Sequence, residues 1–380
     1  MAAGPAGKVG MTDPFRSEVR LPHKGMPTFD PSGPPISFFE FWPQYLFYAP
    51  LCLYWGFLAL RFGGMTLPTV ANPRIPFGGW IGESKASVFE SAGPYARNFI
   101  APWRAFNRKH DLSPDDILAE AGRHGITLPC IAKPDLGCRG VGVRRIRTRD
   151  ELATYLGQYP TGENFLLQQL VDHEAEAGVF YAKDPLKGTG RIISVTLKYF
   201  PYVRGDGEST LRQLICSDPR AGKLAHVYLP RHRERLDWVV PAGQPVRIAY
   251  AGSHSRGTIF RNGNALITPE MTSAFDRIAA DMQEFHFGRF DVRVNDIEEL
   301  RQGRGFTILE INGAGSEATH VWDRKTTLWQ AYADLMAQYR LLWQIGASNA
   351  RRGFRPAPLG ALIRAYRHEA SLWLRYPLTD

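Results

Sequence analysis

Four side chains toward the C-terminal end of this 380-residue chain have types and spacing that could do chemistry together. They are Arg289 and Asp291 in Arg289-Phe290-Asp291, and Glu310 and Asn312 in Leu309-Glu310-Ile311-Asn312-Gly313. Residues two apart on a strand point to one face, so each run offers a polar pair on one side and an apolar residue on the other. Two carboxylates and an amide oxygen are hard ligands of the kind magnesium prefers, in sites commonly completed by substrate phosphates. Alone, the same pattern also describes a solvated sheet face. A phosphate cradle upstream would separate the two readings.

Residues 131–143 read Ile-Ala-Lys-Pro-Asp-Leu-Gly-Cys-Arg-Gly-Val-Gly-Val. Lys133 ends a short apolar run, and Gly137, Gly140 and Gly142 follow, with Cys138 and Arg139 between them. Glycine reaches backbone conformations in which N–H groups converge on an anion, and a lysine beside them adds a point charge for phosphate. No Gly-Lys-Ser/Thr follows, so this is not a Walker loop. Val143-Arg144-Arg145-Ile146 continues as a strand rather than opening a helix, which argues against a dinucleotide fingerprint.

In this order the parts resemble the ATP-grasp superfamily, and within it the carboxylate-amine ligases of the D-alanine:D-alanine ligase and cyanophycin synthetase type, over about residues 95–325. The resemblance implies an α+β fold of two subdomains clasping ATP, with extra helices here at both ends. It implies that Lys133, Gly137, Cys138, Arg139, Gly140 and Gly142 hold the phosphates, with Lys198 as a second phosphate lysine. Gln168, Gln169, Leu170 and Val171 fall on the hinge that reads adenine, and Glu176 on the ribose-binding acid. Asp291, Glu310 and Asn312 fall on the magnesium ligands, and Arg289 on the arginine that stabilises an oxyanion. Gly205-Asp206-Gly207 is similar to a turn of the cyanophycin synthetase group; Asp206-Gly207 is a good turn pair and Ser209 or Thr210 a good N-cap, so an architectural role is favoured. The segment Gly315 to Asp323 departs from the Pro-Gly loop that faces the acceptor in D-alanine ligases, which argues against D-alanine as substrate.

The implied chemistry joins a carboxylate to an amine. ATP phosphorylates the acid to an acyl phosphate, and charge neutralisation and in-line positioning drive that transfer. Arg256, in Ala251-Gly252-Ser253-His254-Ser255-Arg256-Gly257-Thr258, could contact the transferred phosphoryl or a substrate carboxylate; the same run also reads as a plain surface hairpin, His254 with it. The expected partners are a small-molecule or peptide carboxylate and an amine. A phosphotransferase that stops at the phosphorylated acceptor is the rival reading, and a nucleotide-binding regulatory or scaffold protein without turnover is a third.

Composition agrees with an enzyme: 44% hydrophobic residues suffice for one large or two medium cores. The cysteines at 52, 130, 138 and 216 show no paired metal spacing and suit a reducing compartment. The net charge of +9 raises the question of nucleic acid, but no recognition motif or base-reading helix accompanies it. Much of the excess lies at the C-terminus, where Leu359 to Leu374 reads as a basic amphipathic helix, packed on its own domain or laid on an anionic membrane.

The positioning elements can be read around these motifs. Ser113-Pro114-Asp115-Asp116 starts a helix that Gly122 and Gly125 close, a lid spans about residues 127–170 with a helix at Asp150 to Gly157, and Thr272 to Phe287 reads as an amphipathic helix before the metal strand. Residues 1–36 are Gly- and Pro-rich and read as a poorly ordered tail; 37–94 hold a hydrophobic helix and a Pro/Gly-rich loop, 95–326 the catalytic region, and 327–380 the terminal helices. No charge falls between Glu40 and Arg61, a run about as long as a bilayer span of roughly 20 residues. Pro43, Pro50 and the many aromatics weigh against a simple span. Burial in the protein or a homodimer, a contact with a membrane surface, and a span all stay open, with a cytoplasmic, membrane-associated enzyme as the expectation. If the loop at 72–85 faces the nucleotide, Glu83 and Lys85 are its substrate contacts.

Overall fold

Alternation of apolar and polar residues at 287–294 and 306–312 builds a strand pair whose polar face can meet a ligand while Phe290, Val292 and Ile308 enter a core. The computed structural model describes residues 22–109, 113–137, 140–250, 252, 254 and 257–379. In it, β10 (Phe287–Val294) and β11 (Phe306–Asn312) form one edge of a five-stranded antiparallel sheet, continued by β5 (Ala175–Lys183), β6 (Gly190–Tyr199) and β9 (Ile259–Asn262). A smaller antiparallel sheet takes the order β1 (Trp103–Asn107), β4 (Asn164–Gln169), β2 (Cys130–Pro134), β3 (Arg144–Ile146). The pair β7 (Tyr202–Arg204) and β8 (Pro245–Arg247) stands apart from both. This is the α+β class that the sequence led us to expect, with two sheets meeting at one site.

Each sheet carries its own core. Behind the large sheet, Met271, Phe275 and Ile278 of α8 (Pro269–Ala280) pack with Phe290, Val292 and Ile308. Behind the small sheet, Ile117 and Ala121 of α4 (Pro114–Arg123) and Leu152 and Leu156 of α5 (Arg149–Gln158) pack with Phe165 and Leu167. Ser113 caps α4 with Pro114 next in line, as its sequence dictates. In the Gly-Asp-Gly segment, Asp206 accepts the Ser209 N–H at 2.7 Å and the Ser209 hydroxyl at 2.6 Å, while Thr210 and Gln213 form a capping box on α6 (Leu211–Ser217); that turn is architectural.

Two expectations need correction, and a third that stayed open is narrowed. The helix read at 272–287 is displaced: Thr268 caps it and Pro269 occupies its first turn, so it runs earlier and ends at Ala280, before Phe287 opens β10. Residues 22–36 are not a loose tail, because long-range contacts hold them without regular structure. The Gly25 carbonyl accepts the Ile297 N–H at 2.9 Å, the Pro27 carbonyl accepts the Tyr199 hydroxyl at 3.0 Å, and Asp30 pairs with Arg324 at 3.1 Å. Residues 1–21 lie outside the described residues. The apolar run becomes α1 (Gln44–Phe62), which is neither wholly buried nor wholly free. Phe47, Leu51 and Leu58 join Leu335, Leu342 and Trp343 of α10 (Leu328–Arg351) in one cluster, whereas Leu53 and Leu60 are 79% and 86% exposed. The last helix, α11 (Leu359–Trp373), docks on the body: Leu362 and Leu372 are buried and Glu369 accepts the Gly82 N–H at 2.9 Å.

Candidate active site

Antiparallel register sets Arg289 opposite Asn312 and Asp291 opposite Glu310, which brings the four predicted residues to one end of the β10–β11 pair. Arg289 grips Asp291 with two nitrogens, Nε to Oδ1 at 2.8 Å and Nη2 to Oδ2 at 3.1 Å. This fork geometry is one that lysine cannot reproduce. Lys198, reaching in from β6, lies 3.1 Å from Asp291 Oδ1, and Asn312 Nδ2 donates to Asp291 Oδ2 at 3.3 Å. Burial pushes the Asp291 carboxyl up, but Arg289 and Lys198 outweigh it and hold the group at about 2. Asp291 therefore stays ionised.

The strand next to β10 supplies the rest of the charged face. Glu176 accepts Lys198 Nζ at 3.0 Å on one oxygen and lies 3.1 Å from Arg293 Nε with the other. Burial favours its neutral form, yet Lys198 and Arg293 bring its pKa below the ordinary carboxylate value. Arg293 could have been found from sequence, since it lies two residues past Asp291 on the same strand. Gly178 could not. A β-carbon there would meet Arg289 Cδ at 3.1 Å and Asp291 Oδ1 at 3.2 Å, so its lack of a side chain is what admits the ion pair.

The small sheet meets this face through Lys133. Its Nζ donates to Gln168 Oε1 at 2.8 Å and, across the junction, to the Leu309 carbonyl of β11 at 2.9 Å. Gln168 Nε2 is buried without a hydrogen-bond partner, which leaves a donor beside Lys133. An orphaned buried donor of this kind calls for an acceptor. Gln169 is turned elsewhere: its Oε1 accepts the Thr127 N–H at 2.7 Å, and Leu170 and Val171 continue beyond the strand.

Glu83 and Lys85 reach the same place from the Pro/Gly-rich segment. Lys85 Nζ donates to the Gly137 carbonyl at 2.7 Å and lies 3.7 Å from Glu310 Oε1; Glu83 Oε2 accepts the Gly313 N–H at 2.8 Å. Asn72 anchors this segment through four bonds, to Gly78, Phe287 and His286. Gly79 sits so tightly against Gly313 that a β-carbon would come within 2.8 Å of its Cα.

In the glycine loop, Gly137, Gly140 and Gly142 all have positive φ, of 137°, 70° and 73°. The C-terminal segment holds this loop down. Thr379 Oγ1 donates to the Gly140 carbonyl at 2.8 Å and accepts the Gly142 N–H at 3.0 Å, and the Tyr376 hydroxyl donates to the Leu136 carbonyl at 2.8 Å. Cys138, Arg139 and Arg256 lie outside the described residues. Gly252 does lie against the site, since a β-carbon there would collide with Glu176 Oε1. His254 takes a structural place, 2.9 Å from Glu40 and stacked on Trp322.

Among the described residues, no group of three or more His, Cys, Asp or Glu is gathered for a metal ion. Asp291, Glu310 and Asn312 are a mixed oxygen set that suits magnesium by hardness, and Arg289, Lys198 and Lys85 currently supply the positive charge around them.

Burial pushes Lys133 down to about 8 and Glu83 up to about 8. Near pH 8.5 both are largely deprotonated; a polyphosphate bound beside them would favour the protonated forms, so if this is a nucleotide site, binding of a non-hydrolysable ATP analogue should take up protons at about that pH. Calorimetry in buffers of different ionisation enthalpy reads this directly. The uptake should shrink in Lys133→Met and fade near pH 6.5, where both groups already hold their protons. Binding without uptake at the higher pH would exclude Lys133 as a phosphate contact.

No family model matches the sequence, and neither does any curated protein. Among solved structures, the chain is similar to a bifunctional glutathione synthetase from Pasteurella multocida, with 12% identity, a TM-score of 0.35, and coverage of 67% of this chain and 36% of that one. It is also similar to the ATP-grasp ligase PsnB complexed with minimal precursor, with 13% identity, a TM-score of 0.35, and coverage of 67% and 60%. The chain thus spans between about a third and three fifths of these proteins. By description the first is a synthetase and the second an ATP-grasp ligase.

Proposed function

We propose that this protein is an ATP- and magnesium-dependent ligase of the ATP-grasp type, joining a carboxylate to an amine through an acyl phosphate with release of ADP and phosphate. The observation that carries the reading is the junction of the two sheets. Lys133 of the small sheet donates to the Leu309 carbonyl, one residue before Glu310, so a phosphate lysine and an oxygen-rich strand end share one site. Beside it stand Lys198, Asp291 and the two-nitrogen grip of Arg289.

In this reading Lys133, Lys198 and the amides of the glycine loop neutralise and align the triphosphate, and the Gln168 amide N–H gains an acceptor. Asp291, Glu310 and Asn312 would hold magnesium, which when bound supplies Lewis-acid polarisation of phosphoryl oxygens. The acid's carboxylate oxygen attacks the γ-phosphorus and ADP leaves. The amine then attacks the acyl carbon, and phosphate leaves after a tetrahedral oxyanion. Arg289 is held rigid by Asp291 and by its bond to the Glu317 carbonyl at 3.0 Å, and it stabilises that oxyanion without reorganising.

Product analysis tests the reaction class. With a productive acid and amine, ADP, free phosphate and amide should appear in equal amounts; a stable phosphorylated product would replace the ligase with a phosphotransferase.

Among the described residues one helix, α1, is long and apolar enough to cross a membrane by length and composition, and it is mostly unburied. Because its inner face is packed on α10, a contact of the outer face with a membrane surface is favoured over a span. Wild-type protein should then sediment with anionic vesicles and Leu53→Asp/Leu60→Asp should not, at unchanged melting temperature. Retained sedimentation of the double variant would assign the contact to another surface.

A further inference from the structure

We propose that the aromatic cavity between α1 and the loop following β11 is a binding site for a small organic ammonium. Only in naming that ligand the amine substrate does this rest on the ligase reading above. The cavity measures about 230 Å³ and is walled by Tyr48 and Trp55 of α1, Trp80, Tyr339 of α10, and Glu317. Trp55 meets Tyr339 edge-on, with centroids 5.1 Å apart at 88°, and meets Trp80 at 5.6 Å and 63°. Rings set at steep angles turn both faces and edges toward a shared space. The faces of tryptophan and tyrosine attract cations, and boxes of such rings recognise ammonium groups.

Charge selects the same ligand. Among the lining residues Glu317 alone carries a formal charge. The Tyr48 hydroxyl donates to one of its oxygens and the Tyr339 hydroxyl to the other, each at 2.7 Å. Each oxygen keeps acceptor capacity beyond that bond, so the carboxylate is oriented yet still able to receive an ammonium N–H. Gln338 fixes the loop from behind, accepting the Ala318 N–H at 2.7 Å and donating to the Ser316 carbonyl at 2.9 Å. The indole N–H of Trp55 is buried without a hydrogen-bond partner. A ligand with a hydroxyl or carbonyl oxygen near its ammonium would satisfy it.

The cavity also stands where an acceptor would be needed. Arg289 Nη1 donates to the backbone carbonyl of Glu317, so the residue that would orient the amine is bonded to the residue that would receive the oxyanion. The volume admits an ammonium with a body of a few carbon atoms and leaves no room for a folded peptide or a nucleotide.

The test uses the full chain without nucleotide, so it does not depend on turnover. Tryptophan fluorescence is followed during titration with choline chloride at constant ionic strength, and in parallel with 3,3-dimethylbutan-1-ol, its uncharged isostere. Choline should saturate with a dissociation constant at least about tenfold below that of the alcohol, ethanolamine should displace it, and Glu317→Gln should weaken it by about tenfold or more. Equal binding of the alcohol, or an unchanged constant in Glu317→Gln, overturns the site. Should that variant fold poorly, the choline–alcohol comparison on the wild-type chain decides alone. Amine-dependent ADP release without choline binding would leave the ligase reading standing and remove the cage; choline binding without any amide product would do the reverse.

Discussion

Arg289→Lys should lower the rate of ADP and amide formation by roughly 100- to 1,000-fold, the range seen when one preorganised donor to an oxyanion is removed. The substitution keeps the positive charge but loses the fork. Two bonds hold the guanidinium on Asp291 and a third on the Glu317 carbonyl, whereas an ammonium on a shorter, flexible stem cannot make all three in one place. Asp291 would keep Lys198 as a partner, so the protein should fold. The loss should fall on kcat more than on KM, because the interaction matters most once the oxyanion has formed. Steady-state kinetics beside a melting curve check this. Activity within about twofold of wild type, with the fold intact, would move the oxyanion role elsewhere.

Glu310→Gln should have a comparable or larger effect with a different signature. The side chain is about a third exposed and its ion-pair partner Lys85 lies at 3.7 Å, so the near-isosteric change removes charge with little strain and should shift stability by less than about 1 kcal/mol. Magnesium would lose one of its two carboxylates, since Asn312 brings only an amide and Asp291 is shared with Arg289 and Lys198. The magnesium concentration giving half-maximal ADP release should rise by about tenfold or more, and turnover at saturation should fall steeply. An unchanged magnesium response would sink the metal assignment, whatever happened to the rate.

Much of this site could be read from sequence because strands make it legible. Arg289, Asp291, Glu310 and Asn312 follow the two-residue period, and antiparallel register does the rest. Lys133 was legible for a similar reason, a lysine at the end of an apolar strand before a glycine loop. Less legible was everything set by contacts between distant segments. Nothing local in Gly178 or Asn72 announces that one makes room for an ion pair and the other ties a loop to β10. The run 41–60 stayed ambiguous for a physical reason as well. Its apolar residues surround the helix, and period alone cannot tell a face that packs on α10 from one that faces outward. The helix before β10 slipped because Thr268-Pro269 is a stronger start than the apolar spacing further on.

The clasp of Tyr376 and Thr379 on the glycine loop has a thermodynamic consequence. The loop cannot rearrange around a phosphate without disturbing bonds to Gly140, Gly142 and Leu136 that the final residues make. Should nucleotide bind there as proposed, its affinity and the docking of the last helix would be linked quantities, and by reciprocity whatever factor one imposed on the other would be returned in full. If the loop receives the phosphates of ATP as proposed, a change far along the chain, at α11, would tune ATP affinity without altering the loop itself.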